Sequence, residues 1–400
     1  MIIPTVLGCA IGVVLATSFV AVSEVGAVQG DVYLEPGDDL QQAVQNNPEG
    51  TTFVLRSGVY QQVTLSPKLG QIFWGEDGAV LDGEHAQSVA FRSSASNVEI
   101  HNLRIERYRD NGIHFNGGSG LWVDGLVVYD TGSGDGEANG AVRIDNMSAI
   151  KVTGCYFERV SSGVLLTGCD GPIAIEHNEG LNIGRNMVQL AACSGGGIRV
   201  QYNSMERDGR YVRPGNADVE DWISVWKVRG LPDDYAEFSF NRARGHGPSA
   251  SGSFIMLGDG GGEYQRARWN IGTTPGQVGI GLSGGRFIEV TDNAMYSETW
   301  SNSNIAYYSA DYGTGPCGNH VVRRNRANWT NRDNRPNTFW SDAKCAPLDR
   351  SDNVFPDDAL GERIWDEWPD LVLRAQETAI TPQSWGSVKK GSGAVGRGTE

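Results

Sequence analysis

From about residue 98 to residue 325, apolar and polar positions alternate in runs of about five residues, the period of a strand with one buried face. The runs form two interleaved series. The first reads VEIHNL (Val98–Leu103), LWVDGL (Leu121–Leu126) and IKVTGC (Ile150–Cys155), then IAIEHN (Ile173–Asn178) and IRVQYN (Ile198–Asn203). It continues as AEFSFN (Ala236–Asn241), QRARWN (Gln265–Asn270), IEVTDN (Ile288–Asn293) and HVVRRN (His320–Asn325). The second series follows each copy of the first with an apolar pair: Ile113/Phe115, Val142/Ile144, Val164/Leu166, Val188/Leu190, Ile223/Val225, Ile255/Leu257, Ile280/Leu282 and Ile305/Tyr307. Phe339 is a ragged last copy. Helical periodicity is absent from this stretch.

The closing positions of the first series step by 23, 29, 23, 25, 38, 29, 23 and 32 residues. Short strands on so small a repeat predict a parallel β-solenoid, each coil burying its inward side chains on the next about 4.8 Å away. The aligned asparagines then form a stacked amide ladder, in which Cys155 takes one slot and is expected to be buried and free. A propeller, with four strands per ~40 residues, fits less well. Asp38–Val44 has an acidic start and i, i+3, i+4 apolar spacing, predicting a helix that caps the open first coil. Asp357–Trp368 predicts a second small helix. The expected organisation is a leader over 1–27, the solenoid over 31–355, a C-terminal cap over 356–385 and a disordered tail over 386–400.

Composition narrows the function. With 33 Lys+Arg against 48 Asp+Glu the formal charge is −15, which argues against a nucleic-acid partner. Ile2–Val22 carries no charge and Val25–Ala27 offers small residues for cleavage, the pattern of a secretory signal, although no Lys or Arg precedes Arg56. An uncleaved anchor is the alternative. The mature chain is expected outside the cell or at its surface, as a monomer, with no membrane contact once the signal is removed. Cys317 and Cys345 flank the last full coil and could be bridged; Cys169 and Cys193 share a slot on adjacent coils and could be bridged or remain stacked thiols.

The segment PGDDLQQAVQNNPEGTTFVLRSGVY, then GEDGAVLDG, then the repeats resembles the secreted right-handed parallel β-helix proteins of the pectin-lyase-like superfamily over residues 31–355. The resemblance implies an all-β, single-stranded right-handed parallel β-helix of about ten coils and a polysaccharide partner. It does not choose among lyases, hydrolases, epimerases, esterases and adhesins.

Inserted loops on a rigid scaffold mark where chemistry is expected, and the largest insertion lies between Asn203 and Asn241. From Arg199 to Arg268 there are ten Lys/Arg and ten Asp/Glu, so this stretch is neutral within an acidic chain and could receive an anionic sugar. The repeat register puts Lys227 and Asp259 in one slot on adjacent coils, with Asp221 at the opposite end of its strand. DWISVWKVRG followed by FIMLGDGG resembles β-helical lyases of the alginate and chondroitin type, in which a lysine follows such a strand and an arginine sits one coil later. Lys227 matches the lysine, and Gly258-Asp259 stands where the arginine would be. The leading expectation is β-elimination on an acidic, uronate-containing polysaccharide with Lys227 as base. The alternatives are hydrolysis by Asp221 and Asp259, and carbohydrate binding without cleavage.

Substrate contacts are expected from His114, Arg143 and Gln189 between the apolar pairs, from Trp222 and Trp226 pointing outward, and from Arg229. His246, in a Gly-His-Gly that resembles a polygalacturonase motif, is a further candidate. Each has a plainer reading: a surface ion pair for Lys227–Asp259, a strand-end hydrogen bond for Asp221, loop packing for the tryptophans. Asp135 and Glu137 in an inserted loop, with Asp145, offer oxygen ligands suited to calcium, at spacings that match no loop consensus.

Overall fold

The computed structural model describes residues 31–132, 139–208, 220–247, 250–313 and 315–367. The strands stack into three parallel sheets, here A, B and C, and the chain visits them in turn. One full coil runs from Val98–His101 in sheet A through Arg104–Glu106 in B and Asn111–Asn116 in C, and Ser119–Asp124 returns to A beside its starting strand. The ladders pair as the first apolar series requires: Leu121 with Ile150, Ile150 with Ile173, Ile173 with Ile198, and Gln265 with Ile288. The central path of sheet A holds thirteen described strands and sheet C ten. The solenoid therefore has about twelve turns rather than about ten, because coils before residue 98 lack the regular repeat but stack in the same way.

A single residue turns the chain from sheet A to sheet B. Gly125 and Gly154 take the left-handed conformation there, and on later coils His177, Tyr202, Phe240 and Trp269 do so. Side chains rarely adopt this backbone. Here their rings stack one coil apart, with centroids 5.0, 4.8 and 4.8 Å apart, and that contact offsets the strain. The next residue is the asparagine of the ladder. Asn178, Asn203, Asn241, Asn270, Asn293 and Asn325 are buried, and each Oδ1 accepts from the backbone N–H of the preceding slot. Cys155 is buried and free as expected, its N–H donating to Asn178.

Leu40–Asn46 is the expected capping helix; Asp39 accepts from Gln42 N at 3.0 Å, and Leu40 and Val44 are buried over the first coils. At the other end the expected helix is reduced, among described residues, to a 3₁₀ turn at Glu362–Trp365. Cys317 and Cys345 are bridged. Cys169 and Cys193 are not: they are buried free thiols on adjacent coils, Cys169 Sγ donating to Ile144 O or Thr167 O and Cys193 Sγ to Ala191 O.

Candidate functional site

Sheet C carries almost all of the sequence-derived candidates, and two local irregularities decide which of them meet. The regular register holds from Ile113 through Val142, Val164, Val188 and Ile223 to Ile255. A bulge then shifts the strand Ser253–Asp259, so that Trp226 pairs with Asp259 and the expected Lys227–Asp259 pairing is lost. On the last coils Ile280 pairs with Tyr307, so the outward slot there is Tyr308, not Ala306.

Lys227 sits at the corner after its strand, in the left-handed conformation that Asn146 and Ala192 adopt in the same corner of other coils. Its Nζ lies 4.1 Å from the Trp226 ring centre, and Gly260 leaves room for both side chains: a Cβ there would come within 2.6 Å of Lys227 Cγ. Among the described residues no carboxylate lies within ion-pair distance of Lys227 Nζ, so the expected pair with Asp259 is absent. Trp226 is exposed, as expected. Trp222 is not: at the corner from sheet B to sheet C two successive residues, Trp222 and Ile223, both face the core. Trp222 Nε1 donates to Pro275 O at 2.7 Å, and the Arg207 guanidinium lies over its ring.

Asp221, one residue earlier, is half-buried at the opposite edge of sheet C. Its Oδ1 accepts from Ser253 N at 2.9 Å and also from Ser253 Oγ. Burial pushes its carboxyl up to about 6; the Ser253 bonds work the other way, and the charges of Glu220 and Asp259 add to the rise. Burial likewise raises Asp259, against the Gly260 N–H that it accepts. Burial, then Tyr312 and the charges of Asp221 and Asp259, hold the Tyr308 phenol well above the usual tyrosine range, against a hydrogen bond with Ser283. Tyr308 lies across Gly281 and bonds Met256 Sδ at 3.2 Å. Beyond it a cavity of about 370 Å³ opens between Met256, Tyr308, Tyr312 and Trp340.

The remaining candidates stand apart from this centre. His114 Nε2 and Arg143 Nε both bond Asp145 Oδ2, at 3.0 and 2.9 Å. Burial pushes the Asp145 carboxyl up, but these partners outweigh it and hold it below the usual range. An oxygen that already carries a guanidinium and an imidazole is a poor cation ligand. Asp135 and Glu137 lie outside the described residues, and no group of three metal-ligating side chains occurs among those described. Arg143 is three coil steps from Ser224, about 14 Å along the axis. Gln189 lies between them, half-buried. Arg229 is exposed at the return to sheet A, its N–H on Cys193 O. His246 is on the other corner, stacked on Trp300 with centroids 3.7 Å apart, beside a smaller cavity of about 220 Å³.

Sequence reasoning missed Ser253, Tyr308, Tyr312 and Trp340. The glycine run at 260–262 that follows Gly258-Asp259 was the visible sign of a bulge. Tyr308 and Trp340 became outward neighbours only through the shifted register.

No protein-family model and no curated protein sequence matches the chain. Solved structures do. A GH136 lacto-N-biosidase from Eubacterium ramulus superposes with a TM-score of 0.55 at 12% identity, covering 81% of this chain and 67% of the other. A PL6 alginate lyase in complex with a trisaccharide gives 0.48 at 11%, covering 74% and 71%. A family 28 exopolygalacturonase from Yersinia enterocolitica gives 0.42 at 10%, covering 81% and 78%. At these identities the likeness is one of fold. With its three parallel sheets and stacked coils, the chain has the parallel β-helix fold expected from its repeats.

Proposed function

We propose that the chain is a carbohydrate-active enzyme that hydrolyses glycosidic bonds, with Asp221 as general acid and Asp259 as the second carboxylate. The observation that carries this reading is one of placement: Asp221, bonded twice by Ser253, and Asp259 stand at the two ends of the strand Ser253–Asp259, whose Met256 lines an open cavity with Tyr308, and burial raises both carboxyls. Hydrolysis needs one carboxyl that keeps its proton near neutrality and one that works ionised. Ser253 occupies Oδ1 of Asp221 twice, leaving Oδ2 to carry the proton. The elimination reading keeps Lys227 just past its strand end, resting on Trp226, but Gly258-Asp259 still stands where that reading needs an arginine, and this favours hydrolysis. Action outside the cytoplasm belongs to the same proposal, supported by the Cys317–Cys345 bridge and the signal-like first residues, which lie outside the described chain. No helix among the described residues is long and apolar enough to cross a membrane.

The test is a panel of neutral and uronate polysaccharides, read for new reducing ends and for the ultraviolet absorbance of an unsaturated uronate. Hydrolysis gives the first signal without the second. Asp221→Asn and Asp259→Asn should each lower turnover by on the order of 10²–10⁴, while Lys227→Ala stays near wild type. The rate should fall as pH rises through about 6, where Asp221 loses its proton. Unsaturated product, lost in Lys227→Ala, would return the assignment to elimination.

A further inference from the structure

Among the described residues no charged side chain lines the cavity at Tyr308. This is unusual in a chain with 81 charged residues, 33 basic and 48 acidic, and it bears on what the cavity can hold. Tyr312 and Trp340 are 60% and 51% exposed, so their faces and edges are available to a ligand. Tyr308 forms the floor, edge-on to Tyr312 with centroids 6.0 Å apart. The polar groups are amides. Gln277 and Asn304 line the cavity, and their side chains make no hydrogen bond among the described residues. Asn337 donates its Nδ2 to Asn304 O at 2.9 Å, which fixes the side chain and leaves Oδ1 to accept.

Aromatic walls suit the apolar C–H face of a pyranose, and amides suit its hydroxyls because each both donates and accepts. A uronate carboxylate entering here would lose part of its water and meet no lysine or arginine among the described residues. The volume, about 370 Å³, lies within the range of small-molecule sites. We infer that this cavity is a sugar subsite selective for an uncharged pyranose. The acidic polysaccharide expected from the sequence is thereby replaced by a substrate neutral at least at this position. The inference rests on the hydrolase reading in one respect: the sugar held here leads into the bond that Asp221 and Asp259 cut.

The experiment is calorimetric titration of the whole protein, with tryptophan fluorescence in parallel. The probes are cellobiose, lactose, mannobiose and N,N′-diacetylchitobiose against digalacturonate and dimannuronate. At least one neutral disaccharide should bind saturably and neither uronate should compete with it. Trp340→Ala and Asn304→Ala, both at solvent-facing side chains, should each weaken that binding by about tenfold. Failure of every neutral disaccharide to bind, equal or tighter binding of a uronate, or neutral binding that both variants leave unchanged would each overturn the inference. The two readings fail separately. Neutral binding at the cavity with a fully active Asp221→Asn removes the hydrolase assignment and keeps the subsite. Loss of activity in Asp221→Asn with no neutral binding does the reverse.

Discussion

Two titrating residues, half-buried Asp221 and buried His320, pull the stability of this protein in opposite directions over one pH window. Asp221 has its carboxyl raised by burial to about 6, against about 4 in an unfolded chain. Between those values the folded protein holds a proton that the unfolded chain has released, so this group adds stability as pH falls from about 6 to about 4. His320 does the opposite. Burial lowers it to about 4, with Nε2–H donating to Gly285 O and Nδ1 accepting from Ser309 Oγ, at 3.0 and 2.9 Å. The unfolded chain takes up a proton on its imidazole below about 6.5 that the folded protein refuses until about 4, so acidification costs stability there. In the wild type the two contributions offset each other. Asp221→Asn removes the gain, and its urea midpoint should fall more steeply than wild type between pH 7 and 4.5. His320→Gln removes the loss, and its midpoint, whatever its value at pH 7, should fall less or rise over the same interval. Parallel pH profiles for all three proteins would contradict both assignments.

At the scale of a strand and its turn, the asparagine ladder is the element on which the most backbone depends. Asn241 Oδ1 accepts from Asn203 N at 3.0 Å and from Asn203 Nδ2 at 3.0 Å, and its own Nδ2 reaches Val200 O at 2.9 Å. Asn241→Ala leaves a buried N–H and a buried amide on the neighbouring coil without their acceptor, and should cost about 2–5 kcal/mol by equilibrium unfolding. An effect below about 1 kcal/mol would mean that the ladder is decorative. This element was legible in the sequence because inward positions obey burial, and burial writes a period of two along every strand. The ladder slots and the buried free Cys155 were legible for that reason, and the capping helix, expected over Asp38–Val44 and found at Leu40–Asn46, through its own i, i+3, i+4 spacing. The corners were not, because there the period breaks. Trp222 faces inward beside Ile223, the bulge at Gly258-Asp259 pairs Asp259 with Trp226 and leaves Lys227 joined to it only through the backbone, and the Tyr307 pairing moves Tyr308 onto the cavity. Each shifts a candidate residue by one or two positions, enough to dismantle one constellation and assemble another.

In a solenoid each coil packs chiefly on its neighbours, with a few side chains such as Trp222 and Tyr308 reaching one coil further, so a site built across several coils depends on the weakest of them. The cavity wall is such a place. Trp340 belongs to the last strand of sheet C, paired with Tyr308, and Asn337 precedes it by three residues. Both lie within the loop that Cys317–Cys345 closes, a separation of 28 residues. A crosslink over a loop of that size contributes about 3 kcal/mol in the chain-entropy picture, and here nearly all of it falls on the final coils. Reducing the bridge, or replacing both cysteines by serine, should therefore speed amide exchange across residues 317–345 and leave residues 98–201 unchanged. Neutral-sugar affinity at the cavity should fall with it, since Trp340 and Asn337 lose their restraint while Asp221 and Ser253, on earlier coils, keep theirs. Cys155, Cys169 and Cys193 are already free thiols, so among the described cysteines a mild reductant acts on the Cys317–Cys345 bridge alone. Exchange that rises evenly from first coil to last would show that the coils unfold together. Unchanged exchange at 317–345 would show that packing against Tyr308, rather than the crosslink, holds the cavity wall in place.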